Sequence, residues 1–325
     1  MKVSVVIPTL GRSNVLETCL DSLRKQANKD FEVVIATDKK EKLQYLSGKY
    51  PDLKIILTEQ AQKGLAPARN AGLSSASGNI VSFIDDDVTI EPQWIDELIK
   101  AFGSASDIGG VSGPTLISDS DLCKRDIMIF HQMIKKNLFL KFIGEIYSHF
   151  VLEGDPYAVG RICNSGFFSL GSNYPESTRI TGYQKVDYLE ACNMSFRHDV
   201  LNKTGGFSLD YKGVGEWSEP DLAFRVKNEG FKLIFNPKAV VHHHISQQGV
   251  FKDRGINVGL RSENFIHFYF LWIKPDNFTK AVSFGFNLLF INAYWFYKFI
   301  QTGSFGWLGG LRGTFSGLRS ELCRL

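Results

Sequence analysis

The stretch Asn79 to Val88, NIVSFIDDDV, constrains this chain most. Ile80 to Ile84 is mostly apolar and partly β-branched, the composition of a buried strand. Asp85, Asp86 and Asp87 follow at once. Adjacent negative charges repel one another, and a divalent cation relieves that repulsion because hard cations take carboxylate and phosphate oxygens as ligands. Open α/β sheets bind their ligands beyond the C-terminal ends of strands, which is where these carboxylates fall. A solvated acidic turn is the alternative, since Asp is a common turn former.

The preceding residues predict more of the same architecture. Val3 to Ile7 reads as a buried strand that ends at Pro8-Thr9-Leu10-Gly11-Arg12. A helix is expected next, with Asn14 as N-cap, Glu17 three residues on as in a capping box, and Leu16, Leu20 and Leu23 on one face. Phe31 to Ala36 and Leu53 to Leu57 are further strands, and a helix is expected from about Pro67 to Ser75. Strand and helix alternating in this way indicate a parallel sheet with helices on its faces. The 325 residues suffice for one large domain or two modest ones, and 44% apolar with 22% charged residues suits a core-forming protein. A net charge of +3 gives no electrostatic case for nucleic acid. Five cysteines (19, 123, 163, 192 and 323) without a CxxC pair make neither a zinc site nor a disulfide framework, and fit a reducing compartment. Strand-like residues from Val3 onward argue against a signal peptide, so a cytoplasmic location is expected.

In such a sheet the strand ends at Pro8-Thr9, Asp38 and Asp85 to Asp87 gather along one edge. Asp38 is placed to accept hydrogen bonds from a base or ribose. Gly64 to Asn70, GLAPARN, offers a glycine turn, a helix N-terminus and the Arg69 guanidinium, all suited to a diphosphate. A loop with a surface arginine is the competing reading.

VSVVIPTLGR, Asp38, GLAPARNAG and SFIDDDV, in this order, resemble the nucleotide-binding half of the family 2 glycosyltransferases, and the similarity extends to about His244. The resemblance implies a GT-A-type mixed, mostly parallel sheet flanked by helices. It also implies a nucleotide-diphosphate sugar donor and a divalent cation, Mn²⁺ or Mg²⁺. Donor contacts then fall on Pro8, Thr9 and Arg12, on Asp38, on Gly64 and Arg69, and on Asp85 and Asp86. Asp85 and Asp87 become metal ligands. Many relatives carry Asp-Asp-Gly-Ser after the second strand, where this chain has Ala36-Thr37-Asp38-Lys39, so Asp38 alone inherits the base or ribose role.

Further on, Glu91 to Phe102 predicts a helix, and Ile108 to Gly113 a strand. Leu122 to Phe150 is a basic amphipathic stretch. It sets Leu122, Ile129, Met133, Leu140 and Ile143 among Lys124, Arg125, Lys135, Lys136 and Lys141, and suits either a membrane surface or a packed insertion helix. Asp187 to Phe196 reads as a strand with a polar core residue, Glu190, and the resembling family lines its acceptor and donor-sugar site there. Ser218 is the expected N-cap of the next helix, with Pro220 in its first turn, Asp221 three residues after the cap and Gly230 at its end. Relatives carry Glu-Asp-x-Asp-Leu at this point, with the second residue as general base. The matching residue here is Glu219, whose pKa a helix N-terminus is expected to hold low. Asp221 and Glu216 stand in reserve, and Trp217 joins Glu190 as an acceptor candidate. Asp221 is also an ordinary helix-dipole partner. In Ala239 to His244, AVVHHH, strand alternation sends His242 and His244 one way and His243 the other. The family often has a histidine here near the metal or diphosphate, and register selects His243.

The C-terminal residues shift to aromatic and apolar. Ala281 to Tyr297 is 17 residues without a formal charge, between Lys280 and Lys298. A span needs about 20 apolar residues, and Asn287 and Asn292 interrupt this one. Tyr294, Trp295 and Tyr297 suit an interface. The expectation is helices lying on or dipping into a membrane, against a buried hairpin or dimer contact. The Gln-x-x-Arg-Trp run of processive synthases is absent. The division expected is a nucleotide-sugar-binding half (1–115), an acceptor-binding half (116–250) and a helical apolar region (251–325). The activity expected is metal-dependent, inverting, non-processive sugar transfer to a lipid-linked, glycan or protein-linked hydroxyl at the cytoplasmic face of a membrane. A nucleotidyltransferase is one rival, but it calls for a Gly-rich run with a Lys or Arg after the first strand. A non-catalytic nucleotide-sugar-binding membrane protein is the other.

Overall fold

Val3–Pro8 (β1) is buried at all six positions, as its apolar sequence, broken only by the buried Ser4, requires of a strand covered on both faces. In this computed structural model, which describes residues 1–118, 137–244 and 257–324, β1 lies inside an eight-stranded sheet. The strands are β2 (Phe31–Thr37), β3 (Ile55–Glu59), β4 (Ile80–Phe83), β5 (Val88–Ile90), β6 (Ile108–Ser112), β7 (Thr115–Ile117), β8 (Gln184–Lys185), β9 (Met194–Arg197), β10 (Lys232–Phe235) and β11 (Val241–His243). The large sheet has the order β3-β2-β1-β4-β9-β6-β10-β8. Its first four strands are parallel. β9 runs antiparallel between β4 and β6, β10 parallel to β6, and β8 antiparallel to β10. A small second sheet, β5-β11-β7, pairs β11 antiparallel to β5 and parallel to β7. The result is the mixed sheet flanked by helices that the family resemblance implies, with antiparallel β9 and β8 in place of the all-parallel sheet expected from the alternation alone.

These strands belong to a compact unit drawn from Met1–Ile117, Ser172–Leu209 and Ser218–Ser246. Its core joins Val3, Val5 and Ile7 to Leu16, Leu20 and Leu23 of the Ser13–Arg24 helix and to Trp94, Ile95, Leu98 and Phe102 of the Trp94–Ser104 helix. Parallel register brings the strand ends level: Pro8 stands opposite Ala36, and Val6 opposite Phe83. The residues that follow each strand therefore emerge along one edge.

Local expectations shift in three places. The first helix begins at Ser13, one residue before the expected Asn14 cap, and Arg12 at the cap position makes no side-chain cap bond. Glu17 instead pairs with Lys49 at 2.8 Å and accepts from the Tyr45 hydroxyl. The helix expected from Glu91 begins at Trp94, after Pro92. The strand expected over Asp187 to Phe196 is only Met194–Arg197, because a turn in which Asn193 N–H donates to the Glu190 carbonyl precedes it.

A second unit comprises Ser118–Gly171, Asp210–Trp217 and Gln247–Leu325. Of the basic amphipathic stretch, Leu122, Lys124, Arg125, Ile129, Met133, Lys135 and Lys136 lie outside the described residues. Its remainder forms the Leu138–Ile146 helix, capped by the Asn137 side chain, which accepts from the Phe139 and Leu140 amides. Leu138, Phe139 and Phe142 are exposed. The long Phe278–Thr302 helix is capped by Asn277 and ended by Gly303 in the left-handed region. Asn287 donates to the Ser165 carbonyl, and Asn292 accepts from Thr314, so the two asparagines that interrupt the apolar run have protein partners. Among the described residues no helix is long and apolar enough to cross a membrane. The Gly309–Leu322 helix packs on the Val258–Phe268 helix through glycines: a Cβ on Gly313 would stand 2.0 Å from the Gly259 carbonyl oxygen.

Gly313→Ala is therefore expected to cost about 1–3 kcal/mol through overpacking. Gly285→Ala, on an exposed helical position with nothing within 4 Å of a new Cβ, is expected to stabilise by up to about 1 kcal/mol. Urea midpoints of the two variants check the contrast.

Candidate active site

The three aspartates after β4 have three different surroundings. Asp86 is buried; its Oδ2 accepts from Thr9 Oγ1 at 2.6 Å, and its carboxylate pairs with the Arg12 guanidinium. Asp87 lies 3.5 Å from Arg12 Nη2, and its Oδ1 lies 3.3 Å from His243 Nε2. Asp85 is the most open of the three, and its Oδ2 accepts from the Cys192 thiol at 3.1 Å. The backbone carbonyl of Asp87 accepts from the His244 N–H, which fixes β11 beside the run. In that register His242 meets Glu91 at 2.8 Å and His244 meets Thr89 at 2.8 Å, while His243 turns to the aspartates. One ligand atom each from Asp85, Cys192 and His243 lies within 4.8 Å of the others.

Behind these residues lies Arg69, with no exposed surface. Its Nη1 pairs with Glu219 Oε1, and its Nη2 stands 3.6 Å from Asp85 and donates to the Ala191 carbonyl. One buried cation thus joins the Ser218–Asn228 helix to the acidic run. The Phe207 ring lies 5.3 Å beneath the guanidinium, and Phe207 is held to Asn70 by two backbone–amide bonds of 2.8 Å. Gly205 and Gly206 both sit in the left-handed region to deliver Phe207 there, and a Cβ on Gly206 would stand 2.7 Å from Asn70 Oδ1. Asn193 is fully buried; its amide accepts from Trp94 Nε1 and donates to the Pro114 and Ala239 carbonyls. That network fixes the turn carrying Cys192.

Burial and neighbouring charges pull the titrations here in opposite directions. Burial raises the Asp86 pKa above the ordinary carboxylate value, against the pull of Arg12 and Thr9. Burial acts the same way on Asp87, but His243 and Arg12 outweigh it and the pKa falls. Burial opposes the Arg69 charge, yet Glu219 and Asp85 leave its pKa above the usual value. The Cys192 thiol is pushed well up by burial and then by Asp85 and Asp87.

The remaining candidates are placed as follows. Pro8 closes β1, and Thr9 N–H donates to the Ala36 carbonyl. Asp38 lies just past β2 with a buried Oδ1 that has no partner among the described residues. Gly64 occupies the N-cap of the Leu65–Ser75 helix at φ 141°. Glu190 accepts from the Tyr188 hydroxyl at 2.9 Å. Asp221 is buried and paired with Arg225 at 2.8 Å, one helical turn on. Glu216 and Trp217 belong to the second unit, where Glu216 pairs with Arg261 and the Trp217 ring packs on Phe265 and Phe268. The sequence does not single out Cys192, since a lone cysteine outside any CxxC pair gives no signal.

Residues 4–155 match the model of glycosyl transferase family 2. That segment, a little under half of the chain, is similar to the family 2 glycosyltransferases. The chain is 36% identical over 105 residues to the glycosyltransferase GlyA of Streptococcus pneumoniae serotype 4, covering 30% of this chain and 15% of that one. It is 29% identical over 168 residues to the GalNAc(5)-diNAcBac-PP-undecaprenol beta-1,3-glucosyltransferase of Campylobacter jejuni, covering 46% of this chain and 51% of that one. The chain thus spans at most about half the length of these two relatives. Its fold resembles the mannosyltransferase PcManGT of Pyrobaculum calidifontis, solved with GDP-Man and Mn²⁺, with a TM-score of 0.54, 16% identity, and 98% and 87% of the two chains covered. The architecture is a mixed α/β, GT-A-like fold. Thr9, Arg12, Asp38, Arg69 and the aspartate run lie inside the matched family 2 segment, whereas Cys192, Glu219 and His243 come from later segments of the same unit.

Arg69→Met would leave Glu219 and Asp85 without their buried cation. It is expected to cost about 3 kcal/mol, at the lower end for a broken buried pair because Asp85 is partly solvated. Chemical denaturation of the variant beside the wild type measures it.

Proposed function

We propose that this chain transfers a sugar from a nucleotide-diphosphate donor to a hydroxyl acceptor, with inversion and one sugar per encounter, using Mn²⁺ or Mg²⁺. The observation that carries this reading is the cluster of Asp85, Asp87 and His243 at the strand ends, joined by Arg69 to Glu219. Asp85 and His243 supply a carboxylate and an imidazole that fit a divalent cation, Asp87 meets the other ring nitrogen of His243, and Mn²⁺ accepts the imidazole more readily than Mg²⁺. When bound there, the cation offsets the charge that builds on the departing diphosphate. Asp38, with its unpartnered buried oxygen, accepts from the base or ribose. The amides opening the Leu65–Ser75 helix after Gly64 face the diphosphate.

Glu219 acts as the base. Arg69 holds its Oε1, which fixes the side chain, and Oε2 takes the acceptor's hydroxyl proton. The freed oxygen bonds to the anomeric carbon on the face opposite the diphosphate. The carbon–oxygen bond to phosphate breaks, and its electron pair leaves with the nucleoside diphosphate. Asp221, paired with Arg225, supports the helix instead. The fold match and family segment favour this over nucleotidyl transfer.

The acceptor is lipid-linked in this reading, and the protein works at the cytoplasmic face of a membrane. The Campylobacter relative's name specifies an undecaprenol-linked substrate. On the Phe278–Thr302 helix, Phe278, Leu289, Phe296 and Ile300 recur at helical spacing and are exposed, Phe278 by 85% and Ile300 by 66%. Such an apolar stripe suits a helix lying in the membrane interface.

Release of nucleoside diphosphate from a panel of sugar nucleotides with Mn²⁺ tests the function, and loss of release in EDTA is expected. Donor turnover unaffected by EDTA would overturn the metal role. Glu219→Gln is expected to lower turnover by about two to four powers of ten while leaving donor affinity near normal. Asp221→Asn is expected to keep most turnover; an active Glu219→Gln enzyme beside a folded, inactive Asp221→Asn one would move the base to Asp221. Separately, vesicle flotation is expected to carry the wild type upward and leave a Leu289→Ser/Phe296→Ser/Ile300→Ser variant below. Equal flotation of both would refute the stripe as the contact.

A further inference from the structure

We propose that Cys192 is a sulfur ligand of this site's cation, so that the site favours soft and borderline cations over Mg²⁺. The inference rests on the cation reading above and extends it to a residue outside the matched family segment.

The geometry points to it directly. The Cys192 sulfur lies 3.1 Å from Asp85 Oδ2 and 3.8 Å from His243 Nδ1. These three groups form the set whose ligand atoms lie within 4.8 Å of one another. Asp87 approaches the same imidazole from its other nitrogen, Nε2, an arrangement in which a carboxylate orients a metal-binding histidine. The position of the thiol is not a side effect of loose packing. Asn193, its neighbour, is fully buried and bonded to Trp94, Pro114 and Ala239, and Ala191 on its other side bonds to the buried Arg69.

A set of one carboxylate, one imidazole and one thiolate differs in kind from an all-oxygen set. Oxygen ligands suit Mg²⁺, which demands near-ideal octahedral geometry and keeps its waters. Imidazole and thiolate shift preference toward Co²⁺, Zn²⁺ and Cd²⁺. On binding, the metal–sulfur bond forms as the thiol proton leaves to solvent, with no change of oxidation state.

Co²⁺ is the probe. Titrated into the full-length protein without donor, it is expected to give a sulfur-to-cobalt charge-transfer band. Cys192→Ser is expected to abolish the band while still binding Co²⁺. By calorimetry, Cys192→Ser is expected to weaken Cd²⁺ by at least about tenfold, the scale on which metal sites lose affinity even when only a supporting partner is removed, and to leave Mg²⁺ unchanged. Cys192→Ala and a thermal melt guard against a folding defect. A wild-type Co²⁺ complex without the band would overturn the sulfur ligand and leave the cation reading standing. No Co²⁺ binding at all would overturn both. A band that persists in Cys192→Ser would assign it to another cysteine and refute the proposal.

Discussion

A guanidinium with no solvent contact holds the two working parts of this molecule together. Taking Arg69 out of water costs several kcal/mol, which only close, well-oriented anions offset. Glu219 and Asp85 supply them, one from the start of a helix and one from the end of a strand. Its Nε has no partner among the described residues, so the balance leans on those two carboxylates and on the Phe207 ring beneath the group. The dependence continues outward. Phe207 needs Asn70, and the Asn70 contact needs a glycine at 206. Removing either carboxylate leaves the buried charge short of an anion, which is why a surface-loop reading of Arg69 fails on physical grounds.

The aspartate run shows how burial separates groups that look alike in sequence. Three adjacent carboxylates cannot share one environment, because mutual repulsion in a low dielectric is severe. Asp86 turns inward to Thr9 and Arg12, so it ties β1's exit to β4's and is consumed by that bond. Asp87 leans on His243. Asp85 keeps the most solvent and the thiol. The donor-binding role read for Thr9, Arg12 and Asp86 is therefore, in this conformation, a set of contacts within the protein.

The strands were legible because β1, β2 and β4 are covered on both faces and show it as largely apolar runs, broken only by buried polar residues such as Ser4, Glu32 and Ser82. His243 was legible because alternation on a strand is strict. The first helix's cap was not, since Arg12 is drawn to Asp86, 74 residues away, and a tertiary ion pair overrides a local capping preference. Cys192 was illegible for the same reason. Its significance comes from β9 inserting antiparallel between β4 and β6, and from an asparagine that bonds to three distant segments. Neither leaves a periodic trace in the sequence.

In the aromatic C-terminal run, composition left open which face of the helix packs on the protein. At 25 residues the Phe278–Thr302 helix is about 37 Å long, enough to span a bilayer. Length does not decide the matter, because polarity is distributed by face. Ser283 and Asn287 are buried within their own unit, with Asn287 bonded to Ser165, while Trp295 is covered by Gly310. The Asn287 amide is satisfied only in that packing, so exposing the whole helix to lipid would strand it. The glycines of the Gly309–Leu322 helix serve the same end, since only their missing side chains let that helix approach closely enough. What this helix turns outward is the stripe of Phe278, Leu289, Phe296 and Ile300.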